Sequence, residues 1–304
     1  MTVTIIALAA GAVLAAIVLV VRGRRNGRSA RSPSAVVRDP GPLTAHLLRD
    51  AILVAKTTTA TKSHFGGRPP LPPHRDWPTW NGRCLTFLAC VDCGELPRSA
   101  ELDWIPESGL LLFFYDAEEQ PWGFDPKDRG GSAVIYVPVS EIDDRASIAS
   151  PPTAPLPAEE VLPLRHVTFR LTKLPPSWQT HELDAVGLTD AEMDLYRERR
   201  VELYGNQPAH QIGGYPDPVQ SADMDEECQL VTHGINCGGF MGVKDPSAEK
   251  LREAAGDWSL LFQIETDHDL EVMWGDAGML YFWVRRDDAR NLRFEGAWAI
   301  LQCY

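Results

Sequence analysis

A pattern that occurs twice constrains this chain more than any other feature. Gly66-Gly67-Arg68-Pro69 is followed by three short apolar runs, LTFLACVD (85–92), GLLLFFYD (109–116) and SAVIYV (132–137). Gly213-Gly214-Tyr215-Pro216 is followed by SLLFQIETD (259–267), GMLYFWV (278–284) and WAILQC (298–303), in the same order and at similar spacing. Each run is short, aromatic and β-branched, the composition of a strand. Self-similarity at this scale implies duplication of a small sheet unit. Strands outnumber helices and do not alternate with them regularly. The sequence therefore predicts an α+β fold of two related, mainly antiparallel sheet units with a few flanking helices. The Pro/Ala-rich stretch ASIASPPTAPLPAEEVLP (146–163) divides the body, 43–304, into half one, 43–145, and half two, 164–304.

Three helices are expected. Leu43 to about Ala60 places Leu47, Leu48, Ala51, Ile52 and Ala55 on one stripe. Thr189 to Glu192 has the spacing of a capping box, opening a helix that runs through Tyr204 and stops at Gly205. Asp245-Pro246 opens a short helix ending before Gly256.

The N-terminus has a different character. Val3 to Val21 is 19 residues without a charge, roughly 28 Å as a helix and close to the thickness of a bilayer core. Nothing basic precedes it, and RGRRNGR follows it directly. Residues 1–21 thus read as an uncleaved transmembrane anchor, and 22–42 as a basic Pro/Ser-rich linker. The positive-inside rule places the body on the cytoplasmic side of a single-pass cell-membrane protein.

Charge excludes some partners. Residues 1–38 hold six arginines and no acid, which leaves 23 basic against 42 acidic residues in the remainder, a balance of −19. A body that acidic is not built for a phosphate backbone, so no nucleic-acid partner is expected. The six cysteines include Cys90 and Cys93 at CxxC spacing, and Cys228, His233 and Cys237 could complete a zinc set. Cys90, however, lies within a run that reads as a buried strand, and there is no second CxxC. Ordinary buried thiols are the better reading, and no metal or other cofactor is expected.

Several segments carry a family resemblance: SHFGGRPPLPPHRDWPTWNGRCLTFLACVDCGELP (63–97), GLLLFFYD (109–116), HQIGGYPDPVQ (210–220), EECQLVTHGI (226–235), DWSLLFQIETD (257–267), MWGDAGMLYFWV (273–284) and AILQCY (299–304). In this order they resemble the YwqG-like family of bacterial proteins, over about residues 63–304. The resemblance implies an α+β fold with two related sheet halves. It brings no established reaction and therefore no catalytic residue.

No GxxxxGK[ST], GxGxxG, HExxH or GxSxG motif is present. What remains is a set of polar residues in aromatic surroundings. Gln263 interrupts an apolar run and needs partners for both ends of its amide. His210, Tyr215 and Gln220 flank the Gly-Gly-Tyr-Pro turn, and Trp274 and Asp276 belong to the turn WGDAG (274–278). If the two turns meet at one end of the sheet, these six residues make a concave ligand or partner site. If they do not, Gln263, Gln220 and Asp276 simply hold loop backbones, and WGDAG is a tight turn like Pro106-Glu107-Ser108-Gly109 in half one. Three functions follow. The first is a module that binds a protein or small ligand, one form of which masks a basic toxic enzyme. The second is an enzyme with an unlisted site near His210 and Asp276. The third is a scaffold at the membrane.

Overall fold

A computed structural model describes residues 37–142, 161–205, 208–238 and 246–304. Asp39–Tyr304 forms one compact unit. The expected anchor, 1–21, and most of the linker fall outside the described residues, as does most of the Pro/Ala-rich stretch 146–163. Among the described residues no helix is long and apolar enough to cross a membrane.

The strands are β1 (Arg49–Thr57), β2 (His64–Phe65), β3 (Thr79–Trp80), β4 (Arg83–Cys84), β5 (Thr86–Asp92), β6 (Leu110–Tyr115), β7 (Ser132–Val137), β8 (Arg165–Leu174), β9 (Gln211–Ile212), β10 (Trp258–Glu265), β11 (Met279–Arg285) and β12 (Trp298–Gln302). The helices are α1 (Pro40–Thr44), α2 (His181–Asp184), α3 (Asp190–Tyr204), α4 (Met224–Val231), α5 (Pro246–Arg252) and α6 (Arg286–Arg290). β3 and β4 form a separate hairpin, with Asn81 and Gly82 both at positive φ in its two-residue turn.

The expectation of an α+β fold with two sheet units is overturned. The other ten strands form one antiparallel sheet, in the order β12-β11-β10-β9-β1-β8-β2-β5-β6-β7, which curls into a nearly closed barrel. The connection between β6 and β7 lies on β12 at the seam. There Leu301 N donates to Trp122 O at 3.0 Å, and the Trp298 indole donates to Gly123 O at 2.7 Å. The reason for a single sheet lies in its first strands, which cross over. β1 pairs with β8 and also reaches β9, while β8 reaches β2. Val54 N donates to His210 O, and Val167 N donates to Ser63 O in the corresponding place. Each GG turn continues from the short strand so held. Gly66 and Gly67 have φ of 57° and 70°, and Gly213 and Gly214 have φ of 68° and 70°.

The interior is filled from both ends of the sheet. Phe113 of β6 packs on Phe262 of β10 and Phe282 of β11, with ring centroids 4.9 and 5.2 Å apart, and Phe65 stacks on Phe262 at 5.8 Å. The outward residues are covered as well. Leu110, Leu112 and Phe114 pack under Leu71, Trp77 and Leu85. Trp258, Leu260, Tyr281, Trp283 and Ile300 pack under Met224, Cys228 and Val231 of α4. Strands buried on both faces appear in the sequence as largely apolar runs, which is how five of the six runs stood out; the sixth, β7, is only partly covered.

A second correction concerns Leu43 to Ala60. The helix there is only α1, followed by a single turn at Ala45–Leu47, and the rest is β1. Ile52 and Val54 face the barrel interior, while Ala51 and Leu53 face outward with Leu174. β-branched residues and pairing on both sides outweigh the helical stripe. The other two helices stand where the capping signals put them. In α3, Thr189 Oγ1 accepts from Glu192 N, and the Glu192 carboxylate accepts from Thr189 N. α5 spans Pro246–Arg252. Cys90 and Cys93 are buried at β5 and its end. Burial pushes the Cys93 thiol up to about 12, where it is a small apolar side chain and not a thiolate.

Candidate functional site

The polar residues singled out in the sequence occupy two places. On the outer face of the second half, the side chains of Gln211, Gln263 and Gln302 clamp the segment after β9. Gln263 accepts from Asp217 N at 2.8 Å and donates to Ala209 O at 2.7 Å. Gln302 accepts from Val219 N and Gln220 N and donates to Ser221 O. Gln211 donates to Gly213 O and Tyr215 O. The Gln220 side chain donates to Cys303 O at 2.7 Å. Each buried amide thus satisfies backbone groups of a loop that has no ladder of its own.

His210 is buried beside Phe65. Its Nδ1 accepts from Glu265 N at 3.1 Å, so Nε2 carries the proton and donates to Asp267 Oδ2 at 3.1 Å. Lys56 Nζ lies 2.8 and 2.6 Å from the two Asp267 oxygens and 2.7 Å from Asp269 Oδ2. Burial by itself would raise the Asp267 carboxyl. The hydrogen bonds from His210 and Lys56 outweigh it and hold the group well below the usual carboxylate range.

The two turns do not meet. β9 and β10 are antiparallel with Gln211 opposite Gln263, so the Gly213–Pro216 turn lies toward Leu261 and Trp258. WGDAG follows the opposite end of β10, beyond Glu265. Trp274 is 1% exposed and packs edge-on against Tyr115 within the barrel core. Asp276 is exposed, and its carbonyl accepts from Tyr304 N. Gly278 is required for space: a Cβ there would come within 2.0 Å of Gln302 O. The left-handed backbone of this turn sits at Gly275 and Ala277.

A cleft lies instead at the Gly213–Pro216 end. Two cavities of about 600 and 340 Å³ share Arg49, Glu182, Gly214, Asp225, Trp258 and Ser259 in their walls. Of the residues singled out in the sequence, Tyr215 alone lines it. The Arg49 guanidinium lies over the Tyr215 ring at 4.0 Å and 3.5 Å from Glu182. Trp258 is fixed by its indole N–H on Gln229 Oε1 at 3.0 Å, with Arg285 over its ring at 4.9 Å. Carboxylates outnumber cations in the walls: Asp50, Glu101, Glu182, Asp223, Asp225 and Glu226 face Arg49 and Arg286. Burial raises the Asp225 carboxyl, and Asp223 and Glu226 add to the shift. Behind it, burial followed by the repulsion of Asp223, Glu226 and Asp225 pushes Glu227 up to about 7. Among the described residues no cluster of three His, Cys, Asp or Glu is arranged to hold a metal ion.

Residues 63–303 match the family described as Domain of unknown function (DUF1963). The chain belongs to the DUF1963 family. The match takes in every strand of the barrel except β1, and it takes in Tyr215, Asp225 and Trp258 of the cleft but not Arg49. A search of the curated proteins finds no match.

Proposed function

We propose that this DUF1963 protein, YwqG-like in the segments set out above, is a binding module whose ligand site is the cleft and whose ligand is cationic. The observation that carries this reading is the excess of carboxylates over cations around a 600 Å³ cavity with an aromatic wall. A cation entering it would meet Glu182 and Asp225, and the field of the acidic body would speed its approach. Masking a basic partner protein is one form of such a role. The test is equilibrium binding of a labelled hexa-arginine peptide, with a hexaglutamate peptide as control. Asp225→Asn and Glu182→Gln should each weaken arginine-peptide binding several-fold without changing Tm. Unchanged affinity in both variants would remove the cleft from the reading.

One observation favours a second reading, an enzyme using acid–base chemistry. Asp225 lines the cleft with a raised carboxyl pKa, and Glu227 behind it is raised as well, the setting in which general acids occur. Localisation of the body in the cytoplasm is likewise our proposal, drawn from arginines that follow the N-terminal apolar run. Activity of an export-dependent reporter fused after Tyr304 would refute it.

A further inference from the structure

Among the described residues, β8 has an open edge. Along its whole length it is paired on one side with β1, from Arg49↔Leu174 to Thr57↔His166. On the other side β2 covers only His166 and Arg165, and Val167 N donates to Ser63 O at 3.2 Å just beyond. That bond points the amide of Val167 away from β1. Successive residues of an antiparallel strand alternate, so the N–H and C=O groups of Phe169, Leu171 and Lys173 point the same way. No strand among the described residues pairs with them.

The side chains beside this edge have a distinct chemistry. On the inner face, Phe169 is half-buried and Leu171 is 37% exposed, opposite fully buried Ile52. On the outer face Thr168 and Arg170 are exposed, and Arg170 has no ion pair among the described residues. β8 carries Arg165, Arg170 and Lys173 and no acid, within a body of the opposite sign. Lys173 is already engaged by Asp50 at 2.6 Å and by Glu101 at 3.3 Å, which leaves Arg170 as the cation at the centre of the edge. A second copy of the same edge would bring two Arg170 side chains together, so self-pairing is disfavoured.

We propose that this edge docks an extended peptide of alternating apolar and acidic residues from a partner protein, which adds a strand to the sheet beside β8. Its backbone pairs with Phe169, Leu171 and Lys173. Its apolar side chains cover Phe169 and Leu171 on the inner face, and its carboxylates meet Arg170 on the outer one. The surface is separate from the cleft and does not depend on the reading given for it.

The test is fluorescence anisotropy on the full-length protein with a labelled peptide alternating valine and glutamate, against a peptide alternating valine and lysine. The glutamate peptide should bind and weaken with added salt, and the lysine peptide should not bind. Leu171→Pro removes an N–H that the β1–β8 ladder does not use, so it should abolish binding while leaving Tm close to that of the parent. Arg170→Glu should weaken binding at least tenfold, and it carries the test if Leu171→Pro does not fold. Asp225→Asn should have no effect. Absence of glutamate-peptide binding, equal binding of both peptides, or binding untouched by the two β8 variants overturns the proposal. So does a dimer in sedimentation that Leu171→Pro converts to monomer, since the edge would then serve self-pairing.

Discussion

Glu227→Gln should stabilise the protein increasingly as pH rises from about 4.5 through 7, and fully above that. The Glu227 carboxyl lies half-buried on α4, where burial and then Asp223, Glu226 and Asp225 raise it from an ordinary 4.5 to about 7. The folded state therefore holds its proton more tightly than the unfolded chain does. The stability tied to that proton is fully present below about pH 4.5. It is lost as pH rises through 7, where the charge is forced onto a crowded helix end. A shift of this size corresponds to about 3 kcal/mol at ~1.36 kcal/mol per unit, and solvent screening of a half-buried group brings the expected gain to roughly 1–3 kcal/mol. For a unit of this size that is a rise in Tm of about 2–6 °C at pH 8.5, with little change at pH 4.5. Calorimetric melts at the two pH values check it. Glu226→Gln is the contrasting control, because Glu226 is paired with Arg252 and gains nothing from neutralisation. Equal Tm for Glu227→Gln and parent at pH 8.5, or the same shift at both pH values, would refute the electrostatic argument.

Asp267 has the opposite sign. Its depressed carboxyl adds stability that is present above the unfolded pKa near 3.8 and lost as pH falls from there through the depressed folded value, so Asp267→Asn should cost about 1–3 kcal/mol in urea melts at pH 7 and less at pH 2.5. Gln263→Leu strands Asp217 N and Ala209 O and should cost about 2–4 kcal/mol, read as a lower urea midpoint with unchanged slope. Gly278→Val drives a side chain into Gln302 O and Cys303 and should cost about 3 kcal/mol or more, whereas Asp276→Asn in the same turn should leave Tm within about 1 °C.

Much of this protein was legible because it is local. The six apolar runs became β5, β6, β7, β10, β11 and β12; five of them are buried on both faces and so must be largely apolar throughout, while β7 is only partly covered. The Thr189–Glu192 box and the two GG turns were equally readable, because caps and positive φ act within a few residues. β1 was misread because Leu47, Leu48, Ala51, Ile52 and Ala55 suit a helical stripe as well as a strand, and only the pairing with β8 and β9 decides between them. β8 was missed because its centre is polar and exposed, which leaves no burial pattern to find.

The site was less legible still. Gln263 was recognised as a glutamine in need of partners, but which backbone it holds depends on a loop more than forty residues away in sequence. Arg49, Glu182, Asp225 and Trp258 come from β1, α2, α4 and β10, with no motif joining them. They converge because β1 and β8 cross between the halves and the helices then cover the outer face. By itself the sequence determined the six apolar strands, the turns, the caps and the acidity of the body. Closing all ten strands into one barrel, placing the turns at opposite ends of β10 and opening a cleft at one of them were decided by tertiary structure, because pairing and burial between distant segments have no signature in either segment alone.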